Sequence, residues 1–409
     1  MSKEMSEKRY PLQGLRVMDF TQFLSGPLCT MMLADYGAEV VQVEPLTGTA
    51  YRTAGMSVET EKGKRTDNFL RFNRSKKSIA VNLKNPEGQE IIKKLLPHFD
   101  VLVANFRPGI MEKFGLGWEE VHKINDRLIY ATINGFGDPS VLESPYGSRP
   151  AFSIIAEAMG GMVDMIGPKD GPPAPFALSI ADTSTGIMAF AGISMALYER
   201  EKTGKGRRVD AAMMDTSMVF DDMAIARYGS LGQSMTRGAW DHMSPWGQYP
   251  AKDGYICITI MLEKQWINLC EAIGHPELAT NPELADGRLR NKNYDTMIKQ
   301  YLEGWTTQRT KKEVQEILTA HDVPVALVQN VADLFEDPNV KAHKMIIEVE
   351  DQVIGKFKVV GMPIKMNGII EPETYSPSLL GEHTDELLTD LLGMKMEDIN
   401  KLRESNFIK

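Results

Sequence analysis

Asp182 is the side chain around which chemistry can be built. It stands in Ile180-Ala-Asp-Thr-Ser-Thr-Gly186, just before a run, Ile187 to Leu197, that is apolar at nearly every position. The run predicts a helix buried all round. It is too short to cross a bilayer, and it ends in charged residues and Thr203-Gly204-Lys205-Gly206, a stop signal. A carboxylate is thus set at the N-terminus of a core helix, where free N–H groups and the dipole favour negative charge. It can be a cap or a nucleophile. The residues alone favour the cap, because Asp at that position is commonplace.

Two basic stretches could bind an anion. Asn73-Arg74-Ser75-Lys76-Lys77 precedes a predicted strand, Ser78 to Asn82. It reads either as a solvated edge or as a phosphate site, where Lys supplies a point charge and Arg a fork. Asn105-Phe106-Arg107-Pro108-Gly109 follows the predicted strand Asp100 to Ala104 and opens a helix, a natural place for an anion.

The elements that must position these groups begin with a βαβ unit: Leu15 to Phe20, a helix from Gly26-Pro27 to Leu33, and Ala38 to Val43 ending in Glu44. Such a unit implies a parallel sheet. Gly-x-Gly-x-x-Gly is missing between the strands, which argues against a nicotinamide enzyme. Thr47 to Asp67 reads as a long loop or lid. Pro86 to Leu96 reads as a helix capped by Asn85. Leu128 to Ile133 and Arg207 to Asp210 read as further strands, and Ala211 to Arg227 as a Met-rich helix. Gly229 to Gln248 reads as a crossing loop. A compact α+β module follows, with a hairpin in Tyr249 to Ile260. Ile346 to Phe357 and Lys358 to Ile364 suggest two more strands, and Thr384 to Leu392 a helix, with His383 as a turn residue before it.

The stretch from Asp182 to Gly206 resembles the segment around the catalytic Asp of the class III CoA-transferases. These include formyl-CoA transferase, carnitine CoA-transferase and the alpha-methylacyl-CoA racemases. The likeness continues through Leu15-Arg-Val-Met-Asp-Phe-Thr21, Gly26-Pro27, Gly37-Ala-Glu-Val-Val-Gln-Val-Glu44, Asn73 to Ser78, Asn105 to Gly109 and Leu380-Gly-Glu-His-Thr-Asp385, in order along nearly the whole chain. It implies an α/β fold: a large domain with a parallel Rossmann-like sheet, and a smaller α+β domain. The boundaries expected are 1–227, 228–330 and 331–409, the last returning to the large domain. It also implies a homodimer of interlocked chains, with a heteromer as the other arrangement.

The function implied is transfer of CoA from an acyl-CoA to a small carboxylic acid, through an aspartyl anhydride and an aspartyl-CoA thioester on Asp182. No cofactor is bound permanently, and CoA thioesters are the substrates. By resemblance, Asn73, Arg74, Lys76, Lys77, Asn105, Phe106, Arg107 and Lys113 lie along CoA. Leu24, Arg52, Phe152 and Gly247 are expected at the substrate. The racemase branch carries a His where this chain has Phe152, which cannot move a proton. An acyl-CoA racemase or epimerase is therefore the second reading, and a non-catalytic subunit of a heteromeric transferase the third. Leu24 stands where the formyl-CoA branch has Gln. Arg52 and Arg149 would suit a dicarboxylic acid; Leu24 and Phe152 would suit an aryl or branched one. The glycine-rich flap of the formyl-CoA branch has no counterpart in Arg237 to Gly247.

Composition narrows the partners. With 409 residues the chain can bury a large core. A net charge of −9 argues against a nucleic-acid surface. Three Cys at wide spacing and seven scattered His form no metal-ligand pattern and fit a reducing cytoplasm. The first ten residues are polar and charged, so no leader and no membrane association is expected.

Overall fold

The computed structural model describes residues 10–238, 243–372 and 374–409. The chain forms two compact units. The first holds residues up to 163, 175–222 and 338–409, and the second holds 164–174 and 223–337.

Six strands make the first unit's sheet: β1 (Arg16–Phe20), β2 (Glu39–Glu44), β3 (Lys76–Ala80), β4 (Val101–Ala104), β5 (Ile129–Asn134) and β6 (Arg208–Ala212). All neighbours are parallel, in the order β3-β2-β1-β4-β5-β6. The strands are apolar runs because both faces are covered. Val17, Val40, Val101, Val103 and Ile129 face a core closed by helix α1 (Ser25–Asp35) and the long helix α4 (Ile180–Thr203). Met18, Val41, Leu102 and Tyr130 face the other core. That core contains Ile91 and Ile92 of helix α2 (Pro86–Leu95) and Leu387, Leu388, Ile399 and Ile408 of the C-terminal segment. Helices α3 (Ser153–Met159) and α5 (Met213–Phe220) pack on each other and on α4. The strand order reverses between β1 and β4, and ligands of doubly wound sheets bind at the carboxyl ends of the strands at such a point.

Several expectations change. Residues 47–67 are not an open loop: they contain a short 3-10 turn, Ala50–Arg52, and a hairpin of Ser57–Thr60 with Gly63–Thr66. Arg65 ties that hairpin to Asp351 at 3.1 Å. The C-terminal strands are Ile346–Asp351 and Gly355–Val360, a hairpin whose turn falls earlier than the apolar runs suggested. Helix α4 is not buried all round. Ala181, Thr185, Ala189, Ile193 and Ala196 are buried, four or three residues apart, whereas Met195 and Tyr198 are 68% and 67% exposed and Ile187 and Met188 are also open. Its 24 residues make it long and apolar enough to cross a membrane by those measures, but its buried face packs on the sheet and on α1.

The cations of the basic cluster 73–77 have partners within the fold. Arg74 is buried and grips Asp35 of α1 in a two-pronged pair at 2.5 and 3.0 Å. Lys76 is fully buried, 3.1 Å from Asp19 of β1 and from the Pro27 carbonyl oxygen. Asn73 accepts a bond from Lys76 and donates one to the Phe69 carbonyl. Lys77 bridges Glu39 and Glu386 at 3.0 and 2.7 Å. These cations hold β3, α1 and the C-terminal helix together. Their charges are already matched within the fold.

In the second unit, strands Trp246–Ala251, Gly254–Thr259 and Val325–Leu327 form an antiparallel sheet with Gly254–Thr259 in the middle. Helices Glu263–Ala272, Lys299–Thr306 and Lys311–Ala320 pack on it around buried Trp266.

Removing one member of a buried ion pair strands its partner. Arg74→Met should therefore cost about 3–5 kcal/mol, whereas Lys77→Met, at the rim, should cost under about 1 kcal/mol. Thermal unfolding of the two variants side by side measures the difference; equal losses would refute it.

Candidate active site

Asp182 is not the cap of its helix. The N-cap is Ser179, and Asp182 is the third residue of α4, within the first turn. Its side chain lines a cavity of about 720 Å³ at the carboxyl ends of β1, β4 and β5. The loop after β1 (Gln22 to Ser25) and the loop after β4 (Asn105 to Arg107) form one side of it. These are the two loops that flank the reversal of strand order. Asn105 clasps them together, accepting from the Gln22 N–H at 2.8 Å and donating to the Gln22 carbonyl at 2.7 Å.

Two serines bracket the carboxylate. Ser25, at the start of α1, and Ser153, at the start of α3, lie beside it and favour its charged form. Ser153 Oγ also accepts the backbone N–H of Asp182 at 3.1 Å. Behind them is Glu157, 1% exposed, which accepts the Ser153 hydroxyl at 2.6 Å and the Ala181 N–H at 3.1 Å. Burial raises the Asp182 carboxyl above its ordinary range. Ser25 opposes this and the Glu157 charge adds to it. Close packing makes the arrangement possible: a Cβ at Gly186 would lie 2.5 Å from the Ser25 carbonyl oxygen, so only glycine lets α1 approach α4 here.

The wall beside the carboxylate is aromatic. Leu24 is buried and immediately precedes Ser25; Phe152 precedes Ser153 and is 62% exposed, open to the cavity and not packed in the core. Phe23 meets Phe152 and Tyr51 edge to face at 5.9 and 5.5 Å. Phe23 holds φ at +65°, a left-handed conformation that a bulky residue rarely adopts. Burial pushes the Tyr51 phenol up, against the pull of Arg71 and with the Asp182 charge adding to it.

The other expected residues separate. Asn105, Phe106 and Arg107 line the same cavity as Asp182, and so does Arg149, whose guanidinium stacks on Tyr146 at 4.2 Å. Arg52 does not: it is bound to Glu44 by two bonds of 2.6 Å and to the Ser378 carbonyl. Lys113 ends the short helix Ile110–Lys113, exposed and outside the cavity lining. Gly247 belongs to a strand of the second unit. Within 229–248, residues 239–242 lie outside the described residues, and Gly229 to Leu231 belong to the helix Asp222–Leu231. The N–H of Thr183, next after Asp182, is taken by the Ser179 carbonyl, so it is no free oxyanion donor. A second hollow of about 700 Å³ lies at the amino ends of β2 and β3, around Asp35, Lys77 and His383; its lysines are already paired. His383 is the N-cap residue of Thr384–Leu392, and its Nδ1 accepts the Ser78 N–H.

Sequence reasoning missed Ser25, Ser153, Glu157, Phe23 and Tyr51. Glu157 did leave a signal, a lone charge inside Ile-Ile-Ala-Glu-Ala158.

The model of CoA-transferase family III matches residues 12–384. The chain belongs to that family. The transferase is 36% identical to a succinyl-CoA:mesaconate CoA-transferase of Haloarcula marismortui, over 93% of this chain and 96% of that one. It is 35% identical to the beta subunit of a succinyl-CoA–L-malate CoA-transferase of Chloroflexus aurantiacus, over 97% and 98%. It is 34% identical to a formyl-CoA:oxalate CoA-transferase of Streptomyces coelicolor, over 97% and 99%. A crystal structure of a CaiB/BaiF family protein from Brucella suis matches with a TM-score of 0.83 and 30% identity, covering 94% of this chain and all of that one. The transferase moves CoA between an acyl-CoA and a carboxylate.

A carboxyl whose folded pKa is raised gives stability below its unfolded pKa and loses it as pH climbs through the folded one. Ionised Asp182 therefore costs stability at neutral pH. Asp182→Asn should raise the melting temperature by roughly 1–3 °C at pH 7 and show no gain at pH 3.5. A variant no more stable than the parent at pH 7 would contradict this placement.

Proposed function

We propose that Asp182 is the covalent nucleophile of the transfer. Its carboxylate oxygen attacks the acyl carbon of the donor thioester, the C–S bond breaks, and CoA leaves as thiolate. The product is an anhydride between Asp182 and the acyl group. The thiolate then attacks the aspartyl carbonyl and releases the donor acid, leaving CoA as a thioester on Asp182. The acceptor carboxylate attacks that thioester, and the expelled thiolate takes the acceptor acyl group from the new anhydride, regenerating Asp182. Every bond broken is replaced by one of similar energy, so no nucleotide is consumed.

The observation that carries this reading is the partly desolvated Asp182 carboxylate, lining the switch-point cavity with no cation paired to it among the described residues. A carboxylate in water is a poor nucleophile toward a thioester; removal from water and fixed position change that. The Ser25 N–H, at the start of α1, is the donor best placed for the oxyanion that forms on Asp182. Asn105, Phe106 and Arg107 take the CoA, with Arg107 near its phosphates.

A short dicarboxylic acid is the favoured partner. Relatives are named for succinyl-CoA with mesaconate or malate, and for oxalate. Arg149 lines the cavity with no carboxylate of its own, whereas Arg52 is neutralised by Glu44. The aromatic wall of Phe23, Tyr51 and Phe152 supports a second reading, an aryl acid. The open apolar face of α4 supports a dimer, with a heteromer as the alternative, since one relative is named a beta subunit.

Asp182→Ala should abolish turnover, a loss of at least about 10³-fold, while CoA still binds by calorimetry. Succinyl-CoA and a phenylpropenoyl-CoA offered as donors decide the acid class. Turnover retained in Asp182→Ala would exclude the covalent route.

A further inference from the structure

A helix N-terminus normally stabilises a carboxylate in its first turn through free N–H groups and the dipole. A stabilised carboxylate is a weaker base and a weaker nucleophile. In α4 that positive end is occupied by another group. Glu157, on α3 and 1% exposed, takes the Ala181 N–H at 3.1 Å and the Ser153 hydroxyl at 2.6 Å. Ser153 Oγ in turn takes the Asp182 N–H at 3.1 Å. The first-turn N–H groups nearest Asp182 are thus directed to α3 and away from its carboxylate.

We infer that Glu157 is a positioning residue for the transfer: through Ser153 it fixes the first turn of α4 and absorbs its positive end, so that the Asp182 carboxylate remains a strong nucleophile. Glu157 lines the same cavity but is 1% exposed and already engaged by Ser153 and Ala181, so it acts through Ser153 and not on the substrate. The inference rests on the proposed covalent role of Asp182 and adds a residue on which that role depends.

The other charged and titratable groups around this corner are few. Tyr51 comes from the 3-10 turn, and Arg107 and Arg149 sit on the cavity wall. Asp210 on β6 and Asp215 on α5 belong to elements packed against α4. Asp210 is engaged with Thr132, Asn134 and the Asp138 N–H. Burial and the Asp210 charge raise the Asp215 carboxyl. Glu157 is the carboxylate whose charge adds to the rise at Asp182, in the same direction as burial.

Glu157→Gln keeps the size and the acceptor oxygen and removes the charge. In the full-length enzyme, kcat should fall about tenfold while KM for the acyl-CoA changes less than about twofold. The acidic limb of the kcat profile should move to lower pH by about half a unit, because a negative neighbour of Asp182 has gone. Ser153→Ala should act through the same chain, so the double variant should be no worse than Glu157→Gln by more than about twofold. A Glu157→Gln profile that superimposes on the parent, or losses that multiply in the double variant, would overturn the inference. If Glu157→Gln does not fold, Ser153→Ala decides: it must lower kcat and leave KM in place. Absence of any Asp182-dependent turnover in the parent would instead refute the covalent reading itself, so the two failures are told apart.

Discussion

The structure depends on one constraint: a carboxylate must leave water without gaining a cation. Most buried carboxylates in this chain are matched. Asp19 has Lys76, Asp35 has Arg74, Glu44 has Arg52 and Asp351 has Arg65. Asp182 instead lies beside the neutral Ser25 and Ser153 and near a like charge, Glu157. A paired acid would be stable and inert. The unpaired one is costly and reactive, and perturbed groups of this kind mark functional sites.

The fold supplies that environment by bringing three helix starts together. Helix α1 follows β1, α3 follows the long connection after β5, and α4 begins beside both. The order β3-β2-β1-β4-β5-β6 places the ends of β1 and β4 on either side of the crevice. Lys76 joins β3 to Asp19 of β1 and to the Pro27 carbonyl near the start of α1, Arg74 holds Asp35 at the end of α1, and Gly186 lets the first turn of α1 touch α4. The cations that look most like a CoA site in the sequence also hold α1 against the sheet.

Much of the fold was legible in the sequence. Parallel strands covered on both faces read as apolar runs, and Leu15 to Phe20, Ala38 to Val43, Asp100 to Ala104 and Leu128 to Ile133 all fall on strands of the sheet. Asn85-Pro86 marked a helix start that the Asn85 side chain does cap. What failed was long-range. Nothing near Arg74 or Lys76 in the chain announces that Asp35 and Asp19 will neutralise them, and Arg52 meets Glu44 only because the 3-10 turn folds back on β2. Phe152, expected at the substrate by resemblance alone, lines the cavity; its apolar side chain by itself carried no such signal. The polar content of 47–67 suggested a loop, because a small hairpin of exposed residues lacks an apolar stripe.

The most direct measurement is the mass of the intact protein after incubation with a single acyl-CoA, followed by hydroxylamine and peptide mapping. The account predicts a CoA or acyl adduct that hydroxylamine displaces as free CoA thiol or free acid, leaving a hydroxamate on Asp182. An enzyme that turns over yet carries the hydroxylamine-sensitive adduct on another residue, or carries none under turnover, would contradict it.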